Sequence, residues 1–268
     1  MEYSIASISD IVTDIESSIN KDKPFSLIRF GDGGLKLIHR YYNGLPLGSI
    51  SKKEGIPLWF FGELVEGWKK YANEANYIDS PLVYLDKENI FHKRHKVSTN
   101  TKRLMNEWIE LYKLVGFKNK NLCNPEIGFM LFTENAKKNI IDLIGFHSVC
   151  CITNFPEIKN ILTPYVDGLT LKLIPGFYGG FYNKCFKSLA TEIRREAKNY
   201  GLWLVGAGEL GRLLTGLIKE SGGRAIDIGK VFDVWVGQKI NKRMRNILKF
   251  SKYHRLMFTI GDPNEEIN

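Results

Sequence analysis

Phe25-Ser26-Leu27-Ile28-Arg29-Phe30-Gly31-Asp32-Gly33-Gly34 is the stretch that decides how the rest of the chain reads. A short apolar run, punctuated by one arginine, follows Pro24 and empties into a glycine cluster. That is the pattern of a buried strand ending in a tight turn. Leu35, Leu37, Ile38, Tyr41 and Tyr42 then recur as on a helix. Asp32 is thereby expected at the carboxyl end of a strand, where glycines let a ligand approach the backbone. Ligands of open α/β sheets bind at that edge. The plainer alternative is a strand–turn–helix corner whose glycines serve backbone geometry alone.

Upstream, Ile5, Ile8, Val12, Ile15 and Ile19 step by three or four, one apolar stripe of a helix with Ser9 or Asp10 in its first turn. Downstream, helices are expected over 58–75, 104–115, 135–144, 182–200 and 210–221, with a further one opening at Asn154–Glu157. Strands are expected over 81–85, 148–153, 169–174, 202–205 and 225–228, and a short stretch at 121–124 ends near Pro125. Strands alternating with helices after Ser148 indicate an α/β fold: a doubly wound, mostly parallel sheet with helices on both faces, Rossmann-like. No repeat, low-complexity tract or linker divides the chain, so residues 1–268 read as one domain.

The length of 268 residues suffices for a sizeable core. The net charge of +9 favours anionic partners: phosphates, nucleic acid or an anionic membrane surface. Cys123, Cys150, Cys151 and Cys185 form no CxxC pair and read as reduced core residues. The five histidines show no metal-ligand spacing. Met1-Glu2-Tyr3 opens on an acid with no apolar core behind it, so no secretory leader is expected. No apolar run reaches the roughly 18 residues of a spanning helix. The expected location is cytoplasmic.

Gly206-Ala207-Gly208-Glu209-Leu210-Gly211 is a full GxGxxG that follows the 202–205 strand and opens a helix. Its backbone N–H groups and the helix N-terminus would point at an anion. Asp227 lies about 20 residues on, where a dinucleotide-binding domain holds a ribose. Too little chain follows Gly211 for the second half of a dinucleotide fold, so a mononucleotide or a nucleotide diphosphate suits it better than NAD. The plainer reading is a packing turn. Ile226-Asp227-Ile228-Gly229-Lys230, followed by Phe232-Asp233-Val234-Trp235, adds carboxylates and a lysine at or beyond a strand's carboxyl end. The Gly176–Gly180 loop, with Tyr178, would wall a sugar or base pocket, or is an aromatic-packed turn.

FSLIRFGDGG, taken with LWLVGAGELG and AIDIGKVFDVW, resembles the bacterial GT-D-fold glycosyltransferases. The similarity spans most of the chain and is best over 25–38 and 200–235. The resemblance implies a soluble enzyme that uses a sugar nucleotide in surface-glycan or glycoprotein assembly. The family's opening motif is Arg-Phe-Gly-Asp-Gly-Glu, whose Asp-x-Glu pair helps bind a divalent metal on the donor diphosphate. Asp32 matches the Asp, but Gly34 stands where the Glu would be, and Lys230 stands where the family often has a histidine. A hard divalent ion wants several oxygen ligands, or a histidine for manganese. The two departures leave Asp32 as the one matched ligand, so Mn or Mg use is weakened. At about 4 Å and an effective dielectric near 20, a unit charge pair is worth roughly 4 kcal/mol. Lys230 would supply about half the Coulomb contribution of a dication.

The first reading is therefore a glycosyltransferase acting on a glycan, lipid-linked or protein acceptor. Gly206, Gly208, Glu209 and Gly211 would cradle the donor diphosphate, and Asp227 would lie on the ribose or base side. Arg29, Gly31, Asp32, Gly33 and Lys230 would surround the transferred sugar and leaving phosphate. Either Asp32 or Asp233 would serve as base on the acceptor hydroxyl. The alternatives are a nucleotide-sugar-binding module without turnover, favoured by Gly34, and an NAD-dependent oxidoreductase, resting on the glycine fingerprint alone. Residues 239–258 carry seven Lys or Arg and no acid, with apolar residues interleaved. Such a segment either lies on an anionic bilayer at the inner face of the membrane or packs its apolar side on the protein. Nothing supports base readout of nucleic acid.

Overall fold

The computed structural model describes residues 4–30, 32–47, 56–80, 106, 109–110, 116–119, 121–124, 127–132, 143–145, 147–176 and 182–237. β1 (Ser4–Ile5) leads into α1 (Ile8–Asn20). Ser7 caps α1: its hydroxyl accepts from Asp10 N–H, and Asp10 accepts from Ser7 N–H at 2.8 Å. That is a capping box, and it leaves Ser9 and Asp10 in the first turn, as expected. β2 (Phe25–Ile28) and α2 (Asp32–Tyr42) follow. A 3-10 turn at Leu58–Phe60 opens α3 (Phe61–Glu74), which ends just before β3 (Tyr77–Asp79). Then come β4 (Asn121–Cys123) and α4 (Ile127–Met130). β5 (Ser148–Thr153), α5 (Ile158–Leu162) and β6 (Gly168–Leu173) are next. A π turn at Tyr182–Phe186 precedes α6 (Lys187–Glu196), which closes in a 3-10 turn. The chain continues through β7 (Leu202–Val205), α7 (Gly208–Glu220), β8 (Arg224–Asp227) and α8 (Val231–Trp235).

The described strands form one eight-stranded sheet in the order β1-β4-β3-β2-β8-β7-β5-β6, with every pair parallel. Alternation along each strand sends side chains to two faces. Ile28, Cys150, Ile152, Trp203 and Val205 meet α3, α6 and α7 in one core, while Phe25, Leu27, Val149, Cys151, Leu202 and Leu204 meet α1, α5 and α8 in the other. Adjacent Cys150 and Cys151 thus belong to opposite layers, and both are fully buried. Burial pushes the Cys150 thiol to about 12 and Cys151 well above its usual range, which makes both poor nucleophiles.

The layering places the site. From β2 and β7 the chain departs into α2 and α7 on the first face; from β5 and β8 it departs into α5 and α8 on the second. β8 lies between β2 and β7, so neighbouring exits diverge around it. Such divergence opens a crevice at the carboxyl edge of a parallel sheet. Two expectations shift: β8 starts one residue earlier than expected, and the 182–200 helix is a π turn, an α-helix and a 3-10 turn; β3 is a strand that was not expected. The strand expected over 81–85 and the basic segment 239–258 lie outside the described residues.

Candidate active site

Register brings four strand ends level. Leu27 and Ile28 pair with Tyr77 and Ile78, Leu27 also pairs with Ile226, and Asp227 pairs with Val205. Continuing that register sets Arg29 opposite Asp79 and puts Asp227 beside Ile28. Arg29 Nη1 donates to Ile228 O at 3.0 Å, and its Nε lies 3.4 Å from Asp79 Oδ2, an ion-pair contact. The other Asp79 oxygen, Oδ1, accepts from Phe30 N–H. Arg212, in α7, donates through Nε to the carbonyl of Arg29 at 2.5 Å and through Nη1 to Glu209. Its guanidinium lies 5.7 Å from the ring centroid of Phe30 and 4.7 Å from that of Trp68.

Two arginines and three carboxylates therefore share the buried floor of the crevice. Burial raises the Asp79 carboxyl to about 7; Arg29 and the Phe30 N–H oppose the rise and Asp227 adds to it. Burial likewise raises Asp227, against Arg29, Arg212 and the Gly229 N–H. Arg212 is buried too, but Glu209, Asp227 and Asp79 outweigh the desolvation and hold it charged. Gly229 has φ +53°, and a methyl group there would come within 2.0 Å of Arg29 Nη1. The glycine makes the space the guanidinium occupies. Gly206 is equally constrained, because a methyl group would meet the Phe232 ring at 2.5 Å and Gly229 O at 3.1 Å.

Each expected site residue has a definite place. Arg29, Gly206, Glu209 and Asp227 converge on the crevice. Gly208 is the first residue of α7 with φ +55°, a conformation that favours glycine. Gly211 sits in ordinary contact range: a methyl group would lie 3.6 Å from Val205 and 4.0 Å from Asp227 Oδ2, so packing does not demand glycine there. Glu209 is engaged by Arg212, and Asp227 accepts from Gly229 N–H at 3.1 Å. Lys230 is exposed at the start of α8, and Asp233 is half-buried in its first turn. Burial raises the Asp233 carboxyl while Lys230 opposes the rise. Asp32 opens α2 at the carboxyl edge, with Gly33 behind it. The side chain of Asp32, and all of Gly31 and Tyr178, lie outside the described residues.

Among the described residues, no three His, Cys, Asp or Glu side chains converge as a metal ion would need. Asp79 and Asp227 face guanidinium groups instead. Sequence reasoning missed Asp79, Arg212 and Trp68 as parts of this site. The signal for Asp79 was present: an acid closing the apolar run Tyr77-Ile78 before Ser80-Pro81.

No family profile matches the chain, and no curated protein does. Solved structures match over most of its length. One, described as a new glycosyltransferase (DUF1792) from Streptococcus sanguinis, superposes with a TM-score of 0.56, covering 85% of this chain and 81% of its own at 18% identity. Another, described as the highly conserved domain of unknown function 1792 with a distinct glycosyltransferase fold, gives a TM-score of 0.57 over 90% of this chain and 85% of its own at 15% identity. A selenomethionine-substituted structure of that domain matches equally. At these identities the likeness is one of fold. The chain has the GT-D-type α/β glycosyltransferase fold, as the resemblance implied. No described helix is long and apolar enough to cross a membrane.

Proposed function

We propose that this chain is a glycosyltransferase that moves a sugar from a nucleoside-diphosphate donor to a glycan, lipid-linked or protein hydroxyl. The observation that carries the reading is the convergence of a partly buried arginine, Arg29, with the N-terminus of α7 in the crevice around β8. Both are anion-directed, and they meet at the edge where open α/β sheets bind ligands.

The donor diphosphate lies on the Gly206–Gly208 turn with its charge toward the α7 N–H groups. Arg29 and exposed Lys230 supply the positive field for the departing nucleoside diphosphate, the main electrostatic task of the reaction. An acceptor oxygen attacks the anomeric carbon while the bond from that carbon to the phosphate oxygen breaks. The bonding pair leaves with the diphosphate, and the acceptor proton passes to a carboxylate. Asp233 is the described carboxylate assigned the last role, being half-buried in the first turn of α8, where burial raises its carboxyl and makes it a better base. Segment 239–258 would bring the site to an anionic lipid surface. Salt-sensitive binding to anionic but not neutral vesicles, lost on deleting 239–258, is the expected outcome.

The test of the main reading is a panel of nucleotide sugars, read by thermal shift and by slow hydrolysis to the free nucleoside diphosphate. Stabilisation and hydrolysis by one donor class are expected. Stabilisation without turnover, in the presence or absence of manganese and of acceptors, would instead favour the second reading, a binding module, which Gly34 supports. Failure of every nucleotide sugar to bind would overturn both.

A further inference from the structure

We propose that Asp79 is the positioning residue of the transfer site: its charge holds the Arg29 guanidinium in the plane from which it meets the leaving diphosphate. The inference rests on the glycosyltransferase reading above. Asp79 closes β3 and reaches its neighbour β2 at two points, the Arg29 side chain and the Phe30 N–H. Arg29 is held at two nitrogens in different ways: Nη1 donates to Ile228 O at 3.0 Å, and Nε faces Asp79 Oδ2 at 3.4 Å as an ion-pair contact. The hydrogen bond alone would let the guanidinium swing; the Asp79 charge biases it toward one orientation. Arg212 completes the clamp by donating to the Arg29 carbonyl and covering the Phe30 ring. The Arg29–Phe30 dipeptide is thus tied to β3, α7 and the exit of β8, immediately before α2 begins at Asp32.

The carboxylate is more than a backbone cap. An asparagine oxygen would accept from Phe30 N–H equally well, without the cost of burying a charge at 1% exposure. What only the carboxylate offers is a counter-charge for Arg29. The groups that face Asp79 are Arg29 from β2, Arg212 from α7, Asp227 from β8 and the Cys123 thiol from β4. With Glu209 on Arg212, two guanidinium groups answer three carboxylates, so the fully ionised cluster holds one negative charge in excess. Burial, with Asp227 adding to it, raises the Asp79 carboxyl to about 7, so this group is the one expected to change charge near neutral pH. When Asp79 is protonated, Phe30 keeps its acceptor while Arg29 loses the Asp79 charge and retains that of Asp227. Positioning of Arg29 is separable from the fold in this way.

The experiment uses the full chain and the nucleotide sugar it hydrolyses fastest in the panel above. Initial rates for wild type and Asp79→Asn are taken from about pH 5.5 to about pH 8.5. The wild-type kcat is expected to rise as pH passes through about 7. Asp79→Asn should be flat across that window, with kcat about tenfold lower at the alkaline end and a donor KM within about threefold of wild type. A residue that merely supports the fold would lower the melting temperature and leave the profile in place. An Asp79→Asn profile that follows wild type overturns the proposal while the glycosyltransferase reading stands. If Asp79→Asn does not fold, the wild-type profile decides alone, and a flat one overturns the proposal. A wild-type protein that hydrolyses no nucleotide sugar at all overturns the inference together with the reading of turnover on which it rests.

Discussion

The guanidinium of Arg212 lies over the indole of Trp68, 4.7 Å from the ring centroid, and the same group donates to the carbonyl of Arg29. One side chain therefore joins α3, α7 and the exit of β2, and the core under α3 bears directly on the site. A cation over a desolvated indole contributes about 2 kcal/mol.

Trp68 is fully buried, so Trp68→Ala is expected to cost about 3–5 kcal/mol and to free Arg212 from its platform. Trp59 is 66% exposed at the start of α3, and Trp59→Ala should stay within about 0.5 kcal/mol of wild type. Urea midpoints of the two variants check the contrast. Equal midpoints would contradict the packing described for α3.

Gly229 and Gly44 make a matched pair. Both hold left-handed backbone, at φ +53° and +62°, but a methyl group at Gly44 meets nothing within 4 Å while one at Gly229 meets Arg29. Alanine at either position carries about 1–2 kcal/mol of backbone strain. Only Gly229→Ala also displaces the guanidinium. Similar losses of melting temperature are expected, with donor affinity or turnover falling about tenfold or more in Gly229→Ala alone. Equal activity in the two variants would remove Arg29 from the donor site.

How far the sequence spoke depended on element length and flanks. β2, β5 and β7 are apolar runs bounded by Gly, Pro or polar residues, and their reading matched the structure to within two residues. β3 was missed because only Tyr77, Ile78 and Asp79 form it, close behind the end of α3. Two-residue β1 is too short for any period to register. The glycine turn at 206–211 was legible because its chemistry is local. The Arg29–Asp79–Arg212 cluster was not, since strand order alone brings β3 and α7 to β2, and no spacing along the chain encodes that adjacency.

Stability should respond to pH through the same cluster. The Asp79 carboxyl rises from an ordinary value of 3.8 to about 7 on folding, so between those values the native state binds more protons than the unfolded chain. Stability from this group is present below the unfolded value and declines as pH rises toward 7. Asp227 and Asp233 shift in the same direction. Asp79→Asn keeps a neutral group at all pH values. Its melting temperature, measured against wild type, should therefore improve between about pH 4.5 and about pH 7.5. A constant difference across that range would show that Asp79 titrates normally.

Lys230 tests what replaces the missing motif residues. It stands exposed at the start of α8, beside the buried cluster and within electrostatic range of Asp233. On the proposed reading, Gly34 stands where the resembled family's motif has Glu. On that reading a fixed positive charge near the leaving diphosphate is expected from the chain itself. Solvent screening cuts the contact value of an exposed charge well below its buried limit. A loss of about 10- to 100-fold in turnover is therefore expected for Lys230→Ala, equivalent to about 1.4–2.7 kcal/mol of transition-state stabilisation. Lys230→Arg should retain most of the rate, since it preserves the charge. Wild-type turnover should survive EDTA. Complete inactivation by EDTA with recovery on manganese, together with a wild-type rate in Lys230→Ala, would assign the diphosphate charge to a metal held by residues other than the described carboxylates.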